Sequence, residues 1–433
     1  MGKDYYLYYV FGKKEYFSLP PGWVPIHFEE NKEEISLSSV EQMTHDALSA
    51  PAGTSPLKNL ISGAKRIAVI VDDWTRPTPV AEILQVLLPH LVSNGFSREN
   101  ITIVIALGTH VAMTEEGLEA RVGRDVMSHY KIVQHNAWQT DLVPITIPDD
   151  GRIVRINPEV ARAEVKIGIS SILPHPMAGY GGGPKILMPG VSNFEFIRDH
   201  HMRHTIHPQS VAGRANGNPF HEDCMRAARA IGLDFSINCV YNQRGEIVRI
   251  LGGSLETAFA ASVEVCSEKL GVKFDEKVDV TITSTYPHTH GHQFCKGLSA
   301  PDIVTKETGA ILMVAPTVTP VSDEFLYSFN LVKERSHDNS VEYVKRAMSK
   351  GMPFLPDKPV EFNMAMSCVI LRPKIRTILV SPMITRAEAC TMGLEYAPSV
   401  EEGLRLMKNV YPKACVAIFP SGGLIVPKPT WQQ

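Results

Sequence analysis

Two α/β domains, each built on a mainly parallel sheet, are the architecture the sequence predicts. Three observations predict it. Short apolar, β-branched runs of strand length recur along the chain. Segments with apolar residues at helical spacing separate them, and polar loops rich in Gly, Pro and His stand where the strands end. At roughly 150 residues per domain, 433 residues make two or three domains. A hydrophobic content of 44% supplies a packed core and excludes wholesale disorder.

The first 60 residues, rich in Tyr, Pro and acidic groups, read as strands and loops leading into the first domain. Arg66-Ile67-Ala68-Val69-Ile70-Val71 is a run suited to a strand buried on both faces, and it ends in the turn Asp72-Asp73-Trp74-Thr75-Arg76-Pro77. Val80, Ile83, Leu84, Leu87, Leu88 and Leu91 then recur at helical spacing up to Asn94-Gly95. Ile101 to Leu107 is the next strand, closing in Gly108-Thr109-His110, and Thr114 caps a short acidic helix. Val165 to Leu173 is a strand that exits through Pro174-His175 into a glycine-rich loop. Leu255 to Leu270 reads as a helix, and Gly271-Val272-Lys273 as the start of a linker. Strands near Val278–Thr283, Ala310–Ala315 and Arg376–Val380 follow, and Cys415–Pro420 is one more. The boundary is set at 273: residues 1–273 form the first domain and 274–397 a smaller one.

Composition excludes several classes. Forty-three Lys and Arg against 46 Asp and Glu leave a net charge of −3, unlike the basic surplus of a general nucleic-acid binder. No stretch approaches the ~20 apolar residues of a membrane span. Nor does Met1-Gly2-Lys3-Asp4-Tyr5-Tyr6 open a secretory signal, so the expected location is cytoplasmic. Seven scattered cysteines without a C-x-x-C pair fit a reducing compartment and define no zinc or disulfide framework.

The polar loops carry the candidate chemistry. Gly179-Tyr180-Gly181-Gly182-Gly183-Pro184-Lys185 resembles a phosphate cradle, but Ile186 stands where a P-loop needs Ser or Thr. Gly181, Gly182 and Gly183 would let amides approach an anion. Lys185 would pair with a phosphate or attack an acyl group, unless the loop is a plain turn with a solvated Lys. Asp199-His200-His201-Met202-Arg203-His204-Thr205-Ile206-His207 holds four His, of which at least two are expected to be surface or capping residues. His200 with His204, or His204 with His207, could share a helix face, and imidazole suits Zn, Ni, Cu and Fe. His110 and His175 sit at strand ends and could act as acid and base. Arg76 could grip a carboxylate or phosphate, or simply pair with Asp73 across the turn. Gln293 and Lys296, three apart beside His288, His290 and His292, could present a donor pair to an anion.

Taken together, Asp73-Trp74-Thr75-Arg76-Pro77, Gly108-Thr109-His110, His175 with Ala178 to Lys185, His201, and Gln293 with Lys296-Gly297 resemble the lactate racemase family in order and spacing. Gly217-Asn218-Pro219 and Gly422-Gly423-Leu424-Ile425-Val426 extend the likeness from about residue 60 to the C-terminus. The resemblance implies a nickel-pincer nucleotide, pyridinium-3-thioamide-5-thiocarboxylic acid mononucleotide, covalently held by Lys185, with Ni completed by His201. It implies that His110 and His175 move protons while the α-hydrogen of a 2-hydroxy acid leaves and returns as hydride, inverting C2. Asp73, Arg76 and the three glycines would hold the cofactor or the acid, and Gln293, Lys296 and His292 would reach toward the substrate. It implies a smaller domain inserted in the larger one, an active site in the cleft between them, a segment from 398 to 433 rejoining the first domain, and accessory enzymes that build the cofactor. Pro176-Met177 and His292 depart from the bulky aromatics of lactate-using members, which suits a longer or polyhydroxylated acid better than lactate. The alternatives are a non-catalytic carrier or maturation protein for the same cofactor and a His-cluster metal hydrolase.

Overall fold

The computed structural model describes residues 4–10, 13–28, 38–148 and 150–432. The chain folds as two compact units. A central unit comprises residues 33–173 and 177–269, and a terminal unit comprises residues 1–32, 174–176 and 270–433.

In the central unit the apolar runs form a six-stranded sheet in the order Ile247–Gly253, Phe235–Tyr241, Val165–Ile172, Ile67–Asp72, Ile101–Ala106, Lys131–Gln134. Only the first of these pairs antiparallel with its neighbour; the rest are parallel. Every side chain of Ile67–Asp72 is buried, as a central strand covered on both faces requires. The helix Val80–Ser93 buries Ile83, Leu84, Leu87 and Leu91, and Thr114 caps Glu115–Val122 by accepting the Gly117 N–H at 3.1 Å. Leu255–Leu270 is helical as expected.

The terminal unit holds a second six-stranded sheet, parallel throughout, in the order Glu395–Tyr396, Arg376–Val380, Thr305–Val314, Val278–Ser284, Ala414–Phe419, Trp23–Phe28. Val280, Ile282, Leu312, Val314, Ile378, Val416 and Ile418 form its core. The mixed α/β class with parallel sheets is as the sequence predicts.

The division of the chain differs from the sequence expectation in three ways. The apolar strand Ala414–Phe419 needs a partner on each edge and finds Val278–Ser284 and Trp23–Phe28, so the segment from 398 completes the terminal unit instead of rejoining the first domain. The N-terminal strands join that unit too, and Trp23 is fixed there by its Nε1–H donating to the Tyr411 carbonyl at 2.7 Å. The inserted piece is therefore the unit carrying Lys185 rather than a smaller second domain. Gly271–Phe274 is no linker but a strand paired in parallel with Val426–Pro429. Residues 40–60 contain the helix Val40–Ser49 instead of further strands. Among the described residues no helix is long and apolar enough to cross a membrane.

Candidate active site

The strand Ile67–Asp72 lies between Ile101–Ala106 and Val165–Ile172, so the chain leaves it toward one edge of the sheet and returns on its other side. The carboxyl ends of strands that part in this way leave room for a ligand. The loops after Asp72, Ala106 and Ile172 arise there, and they carry Asp73, Arg76, His110 and the glycine loop with Lys185.

Asp73 is 3% exposed, and Oδ1 accepts the N–H of Thr75 at 2.8 Å and its hydroxyl at 2.5 Å. Its Oδ2 stands 2.5 Å from His110 Nδ1. Burial alone would raise the Asp73 carboxyl, but the His110 hydrogen bond and charge, with Arg76 and Thr75, hold it well below the usual carboxylate range. An ionised Asp73 only accepts, so His110 donates from Nδ1, and in the neutral imidazole Nε2 is then the acceptor. A carboxylate-oriented imidazole is the arrangement of a general base.

The glycine loop is shaped by the protein itself. Gly181 N–H donates to the Leu173 carbonyl at 2.7 Å and Gly183 N–H to Ser170 Oγ at 3.0 Å. A Cβ on Gly183, at φ +53°, would lie 2.2 Å from Phe259 Cδ2, and one on Gly182 would lie 2.5 Å from the Ser171 carbonyl oxygen. Two of the three amides expected to cradle an anion are thus committed within the fold, and the glycines serve close packing under the turn Gly183–Ile186 that presents Lys185. Lys185 is partly buried, with Nζ 4.8 Å from the centre of the Phe220 ring. Burial lowers its ammonium to about 8, Cys224 opposes the shift, and the Arg76 charge adds to it.

The helix Phe194–His204 places the histidine cluster. His201 Nδ1 lies 2.9 Å from the Ile197 carbonyl, which fixes the proton on Nδ1 and leaves Nε2 open. Burial, then the Lys185 charge, push His201 down to about 3, so it is a neutral imidazole. His200 is buried, with Nε2 3.0 Å from the Phe220 carbonyl. His204 Nε2 lies 3.2 Å from Asp223 Oδ2, and His207 is exposed beyond the helix end, accepting the Gln209 N–H at 3.2 Å. His204 and His207 therefore do not share a helix face, whereas His200 and His204 do, with ring centres 5.1 Å apart. His200, His204 and Asp223 bring possible metal-ligating atoms within 4.8 Å of one another. Asp223 is also held by Arg152 through both oxygens and by Arg226 at 2.8 Å.

The remaining expected residues lie in the terminal unit. His175 belongs to the short stretch 174–176. Gln293 and Lys296 sit on the 3-10 helix Gly291–Leu298, where residues three apart eclipse, so they share a face as their spacing suggested. The His292 ring stacks on Phe325 at 5.2 Å and meets Phe362 edge-on at 5.4 Å, packing its helix in place. Sequence reasoning missed Asp72, Arg121, Phe220 and Asp223. Only Asp72 carried a signal, as a carboxylate closing an otherwise apolar strand.

The central unit, whose sheet is parallel except at one edge strand, thus carries a lysine with a lowered ammonium, an open imidazole and a carboxylate–imidazole pair. Residues 12–213 match the lactate racemase N-terminal domain. The lactate racemase of Lactiplantibacillus plantarum is 29% identical over 398 residues, 90% of this chain and 91% of that protein. That of Thermoanaerobacterium thermosaccharolyticum is 29% identical over 321 residues, 73% of this chain and 75% of that protein. The structure of the latter's apoprotein superposes with a TM-score of 0.82 at 23% identity, covering 98% of this chain and 100% of that one. A crystal structure of a Thermotoga maritima protein superposes with a TM-score of 0.64 at 17% identity, covering 90% and 98%. The chain is thus homologous to lactate racemases and carries their N-terminal domain at residues 12–213. Among the described residues, His200, His204 and Asp223 are the group whose side chains could hold a metal ion.

Proposed function

We propose that the protein inverts C2 of a 2-hydroxy acid, as a racemase or epimerase using a nickel-pincer nucleotide joined to Lys185. The observation that carries this reading is Lys185, an amine lowered to about 8, beside His201, a neutral imidazole with Nε2 open. One residue suits acylation and the other ligation of a soft metal centre, so the donors fit the group. When bound, the nucleotide supplies a hydride acceptor and donor.

The chain's own residues do the rest. His110, held by Asp73, takes the hydroxyl proton at Nε2 and returns it, and His175 is assigned the same task for the opposite enantiomer. Arg76 pairs with an anionic group of cofactor or substrate, and Gln293 and Lys296 hold the substrate carboxylate. Accessory enzymes build and deliver the nucleotide. Pro176-Met177 and His292, in place of bulky aromatics, suit a substrate longer or more polar than lactate. The His292 ring is engaged by Phe325 and Phe362, so the added room falls to Pro176-Met177.

The Asp73–His110 pair favours an enzyme over a non-catalytic carrier, which needs no oriented base. Hydrolysis by a metal on His200, His204 and Asp223 is disfavoured because two arginines already engage Asp223. The test is intact and peptide mass of protein from a cofactor-producing host, with chiral chromatography of lactate, malate, aryl lactates and aldonic acids. Added mass on Lys185 with α-hydrogen exchange is expected. Active protein with unmodified Lys185 and no nickel refutes the proposal.

A further inference from the structure

We infer that Arg121 is a positioning residue for the reaction, a clamp that sets the Asp73–Arg76 turn against His110. The inference rests on the reading of Asp73, Arg76 and His110 as reaction machinery.

Arg121 lies near the end of the helix Glu115–Val122, just beyond the loop that bears His110. It is 9% exposed, and its guanidinium is directed at main chain rather than solvent. Nε donates to the Asp72 carbonyl at 2.9 Å, and Nη1 to the carbonyls of Arg76 at 3.1 Å and Thr78 at 2.8 Å. Nη2 pairs with the Asp72 carboxylate. One planar group thus reads both ends of the turn that presents Asp73 and Arg76.

The Asp72 carboxylate is held in turn. Its Oδ2 accepts the Thr78 hydroxyl at 2.6 Å and the Ser171 N–H at 3.2 Å. Ser171 Oγ lies 2.5 Å from Thr78 Oγ1 and 2.6 Å from the Tyr241 hydroxyl. Arg121 meets this turn through the carbonyls of Asp72, Arg76 and Thr78 and through the Asp72 carboxylate. The arrangement joins the turn that carries Arg76, the helix that follows the His110 loop and the end of the strand that leads to the Lys185 loop. A surface tie would not need a buried guanidinium with four acceptors. Lysine keeps the charge but cannot span three carbonyls and a carboxylate, because its donors radiate from one atom.

The test compares wild type with Arg121→Lys, both loaded with cofactor, after a thermal melt shows the variant folded at assay temperature. A turn displaced by about 1 Å is expected to lower kcat by about 10–100-fold while KM changes less than about threefold. The Nδ1–H proton resonance of His110, assigned in histidine-labelled protein against His110→Gln, is expected to lose its hydrogen-bonded position. A folded variant with wild-type kcat and an unmoved resonance overturns the inference. If Arg121→Lys does not fold, Thr78→Val removes the hydroxyl bonds to Asp72 Oδ2 and Ser171 Oγ at nearly constant shape. A smaller loss in the same direction supports the clamp, and unchanged kcat and resonance overturn it. If the wild type inverts no 2-hydroxy acid, the proposed function fails on its own. The resonance then still decides: its loss in the variant supports the clamp and its persistence overturns it.

Discussion

Lys185 offers the sharpest test, because its environment converts into a reactivity that can be counted. With its ammonium at about 8 instead of the ordinary 10.5, roughly a tenth of Lys185 is free amine at pH 7, against roughly 0.03% for an unperturbed lysine. The reactive fraction is thus enriched about 300-fold, enough to set this amine apart from every solvated lysine in an acylation reaction. Burial is the largest cause and Arg76 a lesser one, so Arg76→Gln should raise the midpoint yet leave it below 10.5. The assay is trace acetylation across pH ~6 to ~11, with the Lys185 peptide quantified by mass spectrometry against the other lysine peptides of the same digest. The expected curve has its midpoint near 8 in wild type and higher in Arg76→Gln. A wild-type midpoint near 10.5 would refute the claim that the fold prepares this amine. A midpoint carried entirely to 10.5 by Arg76→Gln would show that charge, not burial, sets it.

Asp73→Asn should lower turnover by about 10²–10⁴-fold, because a neutral amide no longer orients His110, and steady-state kinetics with retained Lys185 modification checks this. Since Asp73 sits below the usual carboxylate range, its ionised state is present throughout neutral pH and lost only as pH falls through that lowered value. The acidic limb of kcat/KM near neutrality should therefore not belong to Asp73, and Asp73→Glu should leave that limb in place. Nickel content of loaded protein, measured by mass spectrometry, should fall with His201→Ala and persist with His204→Ala; the reverse would move the metal to the His200, His204 and Asp223 group. Gly183→Ala should destabilise by about 2–4 kcal/mol in denaturant titration, since it adds strain at φ +53° to a clash with the Phe259 ring.

What was legible in the sequence is what local chemistry decides. Ile67–Asp72 is readable as a central strand because both its faces must be apolar, and the helix after it because its apolar side chains recur at helical spacing. The loops with Asp73, His110 and Lys185 were legible for the same reason, since a parallel sheet puts its exits at one end. Pairing across hundreds of residues was not. Nothing near Trp23–Phe28 announces that its neighbour is Ala414–Phe419, and that single pairing reassigns both ends of the chain. Arg121 was hidden likewise: in sequence it is one charge in an acidic helix, and its importance arises only from three carbonyls contributed by a turn 43 to 49 positions away.

In the glycine loop, packing accounts for glycines that the motif alone assigns to anion binding. Three glycines before a lysine suggest amides turned toward an anion, yet the amides of Gly181 and Gly183 are taken by Leu173 and Ser170. The lack of a side chain at Gly182 and Gly183 serves the close approach of Ser171 and Phe259 instead. That packing pins the turn from below and, with Phe220 alongside, partly strips the lysine of water. The loop thereby favours the neutral form of Lys185, and loss of a glycine should be felt first as a change in the amine's reactivity.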